Sequence, residues 1–199
     1  MRHTAMHQRQ TAIIAALRII QRACCAGVSG SFKPFLEHSA DDLQRVAHTN
    51  LLGSLLCTRA AIRAMAESPL RAERRGHVFN MDGAGADGLP TANYAAYGAT
   101  KAGIANLMAS LTAECDAAEL NIGVHTLSPG MVLTPLLLEG ATDKNKQVFN
   151  VLCEHPEIAA AYLVPRARSV AARSSSMAYI RVLTSALLSS PIASFCTTS

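Results

Sequence analysis

The alternation of short apolar segments with long helical ones is the feature that most constrains this sequence. Two apolar stretches, His77–Met81 and Asn121–Leu127, have the length of buried strands. Apolar residues recur at helical spacing before and after the first of them, which predicts long helices over residues 40–66 and 94–118. A shorter helix is expected around residues 148–163. Strands that alternate with helices predict an α/β fold with a parallel sheet. Ligands of such sheets bind beyond the carboxyl ends of the strands, so the turns that follow these two strands mark the predicted site.

Composition limits the class of protein further. The chain has 199 residues, 50% of them hydrophobic and 16% charged, which predicts a globular domain with a sizeable core. The six cysteines show no metal-ligand spacing, so we predict core thiols in a reducing compartment and no metal site. Arg or Pro interrupts the apolar runs before they reach a membrane-spanning length. Scattered basic residues and 5% aromatic residues argue against a nucleic-acid partner.

The two ends of the chain are the least defined parts. Residues 1–23 fit a helix or a poor strand, and their acid-free, arginine-containing composition is compatible with an organelle transit peptide. Residues 166–199 are rich in Ser, Ala and Arg, with one apolar island at Tyr179–Leu188, and are predicted to form a basic tail. A solvated tail and a contact with an anionic membrane surface both remain open for this segment.

Tyr97 and Lys101 are the main catalytic candidates. They lie four residues apart on a predicted helix and therefore share one face. A free phenol titrates near pH 10, and a neighbouring ammonium is expected to lower that pKa. Such a pair suits proton transfer to a carbonyl oxygen. The alternative is a surface tyrosine beside a surface lysine.

Polar residues in the first long helix have simpler explanations. Ser39 is a good N-cap, and the helix dipole accounts for Asp41 and Asp42 in the first turn, so no catalytic role is assigned to them. Asn50 falls in the middle of the helix, where Asn is unfavourable. A solvated face or a polar contact with a neighbouring helix would explain it.

The order of these motifs resembles the C-terminal two thirds of a short-chain dehydrogenase/reductase. The resemblance implies a Rossmann-type, doubly wound parallel sheet, with Tyr97 as general acid or base and Lys101 also binding the nicotinamide ribose. It implies that Asn50 supports a proton-relay water. On the cofactor side, the matching residues are Ala26, Gly27, Pro129, Gly130 and Thr134.

Four segments resemble one group of this family, the chlorophyll(ide) b reductases. They are FNMDGAG, LSPGMVLTPLL, NVLCEHPEIAAAYLVPRAR and AYIRVLT. The resemblance implies reduction of the 7-formyl group of chlorophyll b to a hydroxymethyl group by NAD(P)H, with NADPH favoured. It also implies a tetrapyrrole substrate, a chloroplast location with peripheral thylakoid contact, and an oligomer with the same or a related reductase.

Three departures from the family pattern bear on this reading. Asp82 takes the place of the usual catalytic serine. It would hydrogen-bond the substrate carbonyl if protonated, act through water or the pigment's magnesium, or be a turn residue with no chemical role. Cys24-Cys25-Ala26-Gly27 replaces the family's NNAG, after a strand that Gln21 and Arg22 are expected to interrupt. No glycine precedes Gly27, so the dinucleotide loop and the first βαβ strands of the fold are predicted to be missing, which leaves an uncovered sheet edge.

The sequence therefore predicts three regions and two candidate functions. Residues 24–165 are expected to form the C-terminal part of a Rossmann domain, between the uncertain segment 1–23 and the tail 166–199. The predicted function is an NAD(P)H-dependent carbonyl reductase. The alternative is a non-catalytic fragment or docking subunit that binds no cofactor.

Overall fold

A single parallel sheet organises the protein. The computed structural model describes residues 21–173 and 176–182. Within these residues four strands lie in the order β1–β2–β3–β4, and every neighbouring pair is parallel. The strands are Gln21–Cys24 (β1), Gly76–Met81 (β2), Ile122–Ser128 (β3) and Met177–Arg181 (β4). The predicted α/β class with a parallel sheet is confirmed.

Helices connect the strands and cover both faces of the sheet. They are Ala40–Val46 (α1), Gly53–Ala66 (α2), Ala95–Ala117 (α3), Pro135–Leu138 (α4), Asp143–Leu152 (α5) and Pro156–Ala172 (α6). A π-helical segment, Ala47–Leu52, joins α1 to α2, so the first predicted long helix is confirmed with a wider turn at its centre. Ser39 caps α1 through a reciprocal bond with Asp42, as its position predicts.

The core lies on the two sides of the central strands. Side chains alternate between the faces of a strand, so neighbouring residues enter different layers. Val78 and Val124 pack against α2 and α3, whereas Phe79 and Leu127 pack against Leu163 of α6. This arrangement brings the carboxyl ends of all four strands to one edge of the sheet.

Both outer strands differ from the sequence-based expectations. Gln21 and Arg22 do not interrupt the strand before Cys24, because they pair in register with β2 at the sheet edge, where Gln21 is exposed and Arg22 half-buried. Within the described residues, the first strand of the sheet is therefore Gln21–Cys24. Met177–Arg181 pairs with β3, although this segment was predicted to be tail. Only Ile180 of β4 is buried, so the segment carries little apolar pattern of its own.

The prediction of one helix near residues 148–163 is also corrected. Cys153 adopts an extended conformation that ends α5, and Pro156 starts α6. Proline suits the first turn of a helix, where its missing N–H costs nothing. Since α6 continues to Ala172, the predicted boundary at residue 165 falls inside a helix.

Several negative observations apply to the part of the chain that the structure describes. No helix there combines the length and apolar character needed to cross a membrane. No three His, Cys, Asp or Glu side chains there are grouped to bind a metal ion. The five cysteines of these ranges are unpaired. Residues 1–20 of the predicted transit-peptide segment and residues 183–188 of the apolar island lie outside the described residues.

Candidate active site

Tyr97 and Lys101 lie at the start of α3, against the carboxyl end of β2. Their side chains are 7% and 5% exposed, which excludes the alternative of a surface pair. Lys101 Nζ donates a hydrogen bond of 3.0 Å to the carbonyl oxygen of Met81, which is the last residue of β2. The same nitrogen lies 5.5 Å from the centre of the Tyr97 ring. The strand end thus anchors the ammonium beside the phenol.

Burial sets the protonation of this pair. It raises the pKa of Tyr97, and Tyr94 and Asp82 raise it further. Burial lowers the pKa of Lys101, while the charges of Asp82 and Cys25 act in the opposite direction. The expected lowering of the phenol pKa by Lys101 is therefore outweighed by loss of solvent. The phenol keeps its proton, which is the state required of a proton donor.

The glycine turn after β2 is shaped around Tyr97. A Cβ on Gly83 would lie 2.4 Å from the Tyr97 hydroxyl oxygen. Gly85 has a φ of +88°, and a Cβ there would lie 2.7 Å from Gly98 Cα. Only glycine allows this approach of the turn to α3. The turn lies at the predicted ligand edge, but neither glycine was among the predicted site residues, although the GAG pattern after a buried strand was a signal for them.

Asp82 is held by residues from two other strands. It is 8% exposed, and the Tyr179 hydroxyl on β4 donates a hydrogen bond to its Oδ2 at 2.5 Å. Burial raises the pKa of Asp82, and hydrogen bonds from Tyr179 and Ser128 oppose that rise. These residues border an open cleft of about 630 Å³, which Gly130 and Arg181 also line. Tyr179 was not among the predicted site residues, and it lies 97 residues from Asp82 in the sequence.

Asn50 fixes the loop after β1 to helix α3. It is 0% exposed in the π-helical segment. Its Oδ1 accepts from the Val28 N–H at 2.8 Å, and its Nδ2 donates to the Val28 carbonyl at 2.9 Å and to Thr100 Oγ1 at 3.2 Å. Of the two alternatives, the polar contact with a neighbouring helix is correct. Both Nδ2 hydrogens are therefore engaged, and Oδ1 accepts one hydrogen bond.

Of the residues expected on the cofactor side, Gly130 lines the first cleft and Gly27 lines a second one. This cleft, of about 510 Å³, lies between Gly27 and Val28 on one side and the segment Pro135–Glu139 on the other. Thr134 caps α4 by accepting from the Leu137 N–H at 3.4 Å and donates to the Val132 carbonyl at 3.2 Å. Pro129 and Gly130 follow directly after β3, whereas Ala26 is exposed beside Gly27.

Glu139 closes one side of that second cleft. Ser29 donates a hydrogen bond to its Oε2, and Arg45 Nη2 lies 3.7 Å from its Oε1. The loop after β1 and the segment after β3 are therefore joined through one carboxylate. We refer to this arrangement as the Glu139 contact.

The nicotinamide half of a dinucleotide fits these residues better than the phosphate half. The ammonium of Lys101 has three N–H donors, and the structure shows one of them bonded to the Met81 carbonyl. The other two can donate to ribose hydroxyls. Helix α1, which follows β1, carries Asp41 and Asp42 in its first turn. Their negative charge disfavours a phosphate at that helix N-terminus.

The match to a family agrees with the geometry. A sequence model of the family "short chain dehydrogenase" matches residues 6–145. The chain belongs to the short-chain dehydrogenase family, whose members are NAD(P)-dependent oxidoreductases.

Two relatives within that family indicate which group of reductases the chain resembles. The chlorophyll(ide) b reductase NOL of Arabidopsis thaliana is 50% identical over 157 residues, covering 77% of this chain and 44% of the relative. The probable chlorophyll(ide) b reductase NYC1 of the same plant is 46% identical over 155 residues, covering 78% of this chain and 30% of the relative. Both relatives are named chloroplastic. The chain thus spans less than half the length of these two curated relatives.

Solved structures support the fold. The 3-ketoacyl-(acyl-carrier-protein) reductase of Brucella melitensis, solved with NADH, superposes with a TM-score of 0.65 at 23% identity. The match covers 82% of this chain and 65% of that one.

Proposed function

We propose that this chain carries the proton-transfer site of a nicotinamide-dependent reductase that acts on the formyl group of a chlorophyll b-type tetrapyrrole in the chloroplast. The observation that carries the proposal is the buried Tyr97 phenol, held between Gly83 and Lys101 at the ligand edge of the sheet. The similarity to chlorophyll(ide) b reductases supports this substrate class. It favours the reductase over the alternative of a non-catalytic fragment or docking subunit.

A bound nicotinamide cofactor would supply a hydride to the carbonyl carbon. Lys101 would hold the ribose, and Gly27, Pro129, Gly130 and Thr134 would border the nicotinamide. Both nicotinamide dinucleotides suit these residues, and NADPH is preferred through the resemblance to chlorophyll(ide) b reductases.

Tyr97 would donate its phenolic proton to the carbonyl oxygen as negative charge develops there. Burial keeps this proton in place until the transfer, because it disfavours the phenolate. The Lys101 ammonium would stabilise the phenolate that remains. A relay water at the π-helical segment around Asn50 would return a proton from solvent.

Asp82 would bind the carbonyl oxygen from the neighbouring cleft. The cleft is open on one side, so the edge of a large planar ring that bears the formyl group enters while the remainder stays outside. We include peripheral contact with the thylakoid and assembly with the same or a related reductase in the proposal.

Replacement of the phenol tests the proposal. In the full chain, Tyr97→Phe should abolish reduction of chlorophyllide b with NADPH or NADH, followed by chromatography of the hydroxymethyl product. Its far-UV circular dichroism should match that of the unmodified chain. Tyr162→Phe, on the outer helix α6, serves as the matched control and should retain full turnover.

Two results would contradict the assignment. Normal turnover by the Tyr97→Phe variant would exclude this phenol as the proton donor. A fluorescence titration of NADPH without any saturable change would support the docking subunit instead.

A further inference from the structure

We propose that Tyr179 is a positioning residue that orients the Asp82 carboxyl group as a neutral hydrogen-bond donor to the substrate carbonyl. The inference rests on the proposed function and deepens it at the residue that replaces the family's serine. Tyr179 would act through Asp82 and would not itself transfer a proton.

The sheet brings these two side chains together with defined geometry. Tyr179 pairs in register with Thr126 of β3, which pairs with Asn80 of β2. The Asp82 N–H donates to the Leu127 carbonyl at 2.9 Å, and the Val182 N–H donates to the Ser128 carbonyl at 2.9 Å. Backbone hydrogen bonds therefore fix both ends of the hydroxyl–carboxyl contact. The same side chains line the cleft beside the glycine turn.

The chemistry of reduction favours the acid form of Asp82. Negative charge builds on the substrate oxygen during the reaction, and a buried carboxylate beside it would oppose that charge. A carboxylic acid instead donates a hydrogen bond, as the hydroxyl of a serine would.

The contact with Tyr179 selects which oxygen carries the proton. A carboxylic acid accepts best at its carbonyl oxygen, and the Tyr179 hydroxyl donates to Oδ2. The proton would then reside on Oδ1, the oxygen that the Tyr179 contact leaves for the substrate. Tyr179 remains a donor because burial and Asp82 both raise its pKa.

The charged, titratable and hydrogen-bonding groups around Asp82 come from three elements. Tyr179 and Arg181 face it from β4, and Lys101 and Tyr97 from α3. The hydroxyl of Ser128 bonds it from β3. Burial raises the pKa of Asp82 more than Tyr179, Ser128, Arg181 and Lys101 lower it, so the net shift is toward the acid form. Loss of the Tyr179 hydroxyl is expected to raise this pKa further.

The test compares pH profiles of the full chain acting on chlorophyllide b with NADPH. Tyr179→Phe should lower kcat about tenfold, the effect of one misplaced hydrogen bond, with little change in the KM for NADPH. The alkaline limb of kcat/KM should move to higher pH, because activity is lost when Asp82 ionises. In Asp82→Asn and Asp82→Ser the activity that remains should show no such limb, since both side chains are neutral donors that do not ionise in this range.

A purely structural role for Tyr179 predicts different results. It would lower stability and leave the alkaline limb unmoved, and that outcome overturns the inference. Inactivity of a folded Asp82→Asn variant would also overturn it, because a carboxylate would then be required. Tyr162→Phe provides the control for loss of an unrelated phenol.

The outcome is separable from failure of the proposed function. If Tyr97→Phe stays active, the proposed function fails. If Tyr97→Phe is inactive while Tyr179→Phe matches the unmodified chain at every pH, only the present inference fails. If the unmodified chain shows no turnover, ¹³C NMR of the aspartate carboxyl carbons measures the effect of the Tyr179 hydroxyl on the pKa of Asp82 without substrate. The Asp82→Asn variant assigns the Asp82 signal. Equal Asp82 midpoints with and without the Tyr179 hydroxyl would overturn it.

Discussion

Gly83→Ala is expected to disable the proton donor while leaving the chain folded. The new Cβ would lie 2.4 Å from the Tyr97 hydroxyl oxygen and 3.1 Å from Lys101 Cε, whereas ordinary contacts begin at 3.4 Å. The hydroxyl, at the far end of its side chain, must therefore move by about 1 Å. A displacement of that size is expected to lower kcat on the order of 100-fold. Overpacking should cost about 1–3 kcal/mol of the free energy of unfolding.

Two measurements test this prediction, and a substitution at a neighbouring glycine provides the control. Urea unfolding followed by circular dichroism gives the stability, and reduction of chlorophyllide b gives the turnover. Gly98→Ala is the matched control, because its Cβ would have no neighbour closer than 3.7 Å in a helix. That variant should be neutral or more stable by up to about 1 kcal/mol. If Gly83→Ala equals the unmodified chain in stability and turnover, the packing argument around Tyr97 is refuted.

Three further predictions concern stability. Asn50→Ala should cost about 2–4 kcal/mol in urea unfolding, because the N–H and carbonyl of the loop after β1 lose their buried partners; an unchanged midpoint would contradict this. Burial, and then His77, lower the pKa of His125 from 6.5 to about 4, so the unfolded chain binds a proton that the folded chain excludes. Stability should fall by up to about 3 kcal/mol as the pH drops through this range, and His125→Gln should flatten that part of the profile. Ser39→Ala should lower the free energy of unfolding by about 1 kcal/mol, because α1 loses its N-cap. An unchanged free energy of unfolding in this variant would contradict the reciprocal bond with Asp42.

The central elements were predictable because their sequence patterns are local and strong. Strand β2 is almost fully buried, and α3 carries Ile104 and Met108 at helical spacing. The edge strands were not predictable in the same way. Gln21–Cys24 is polar, and Met177–Arg181 buries one residue, so only pairing with β2 and β3 makes them strands.

The same distinction between local patterns and long-range pairing applies to the residues of the site. The spacing of Tyr97 and Lys101 gives their common face, and the structure adds the burial that reverses the expected shift of the phenol pKa. The bond between Tyr179 and Asp82 depends on the register of three strands, which no local pattern contains. The catalytic and cofactor-binding roles of all the predicted site residues, Tyr97 and Lys101 included, stay predictions.

The Glu139 contact has a kinetic consequence for any ligand that enters the cleft beside Gly27. Ser29 and Arg45 both hold this carboxylate, so separation of the two loops breaks a hydrogen bond and a half-exposed ion pair together. Added salt screens the ion pair and thereby lowers the barrier to opening. The link between the two loops should therefore weaken as the ionic strength rises.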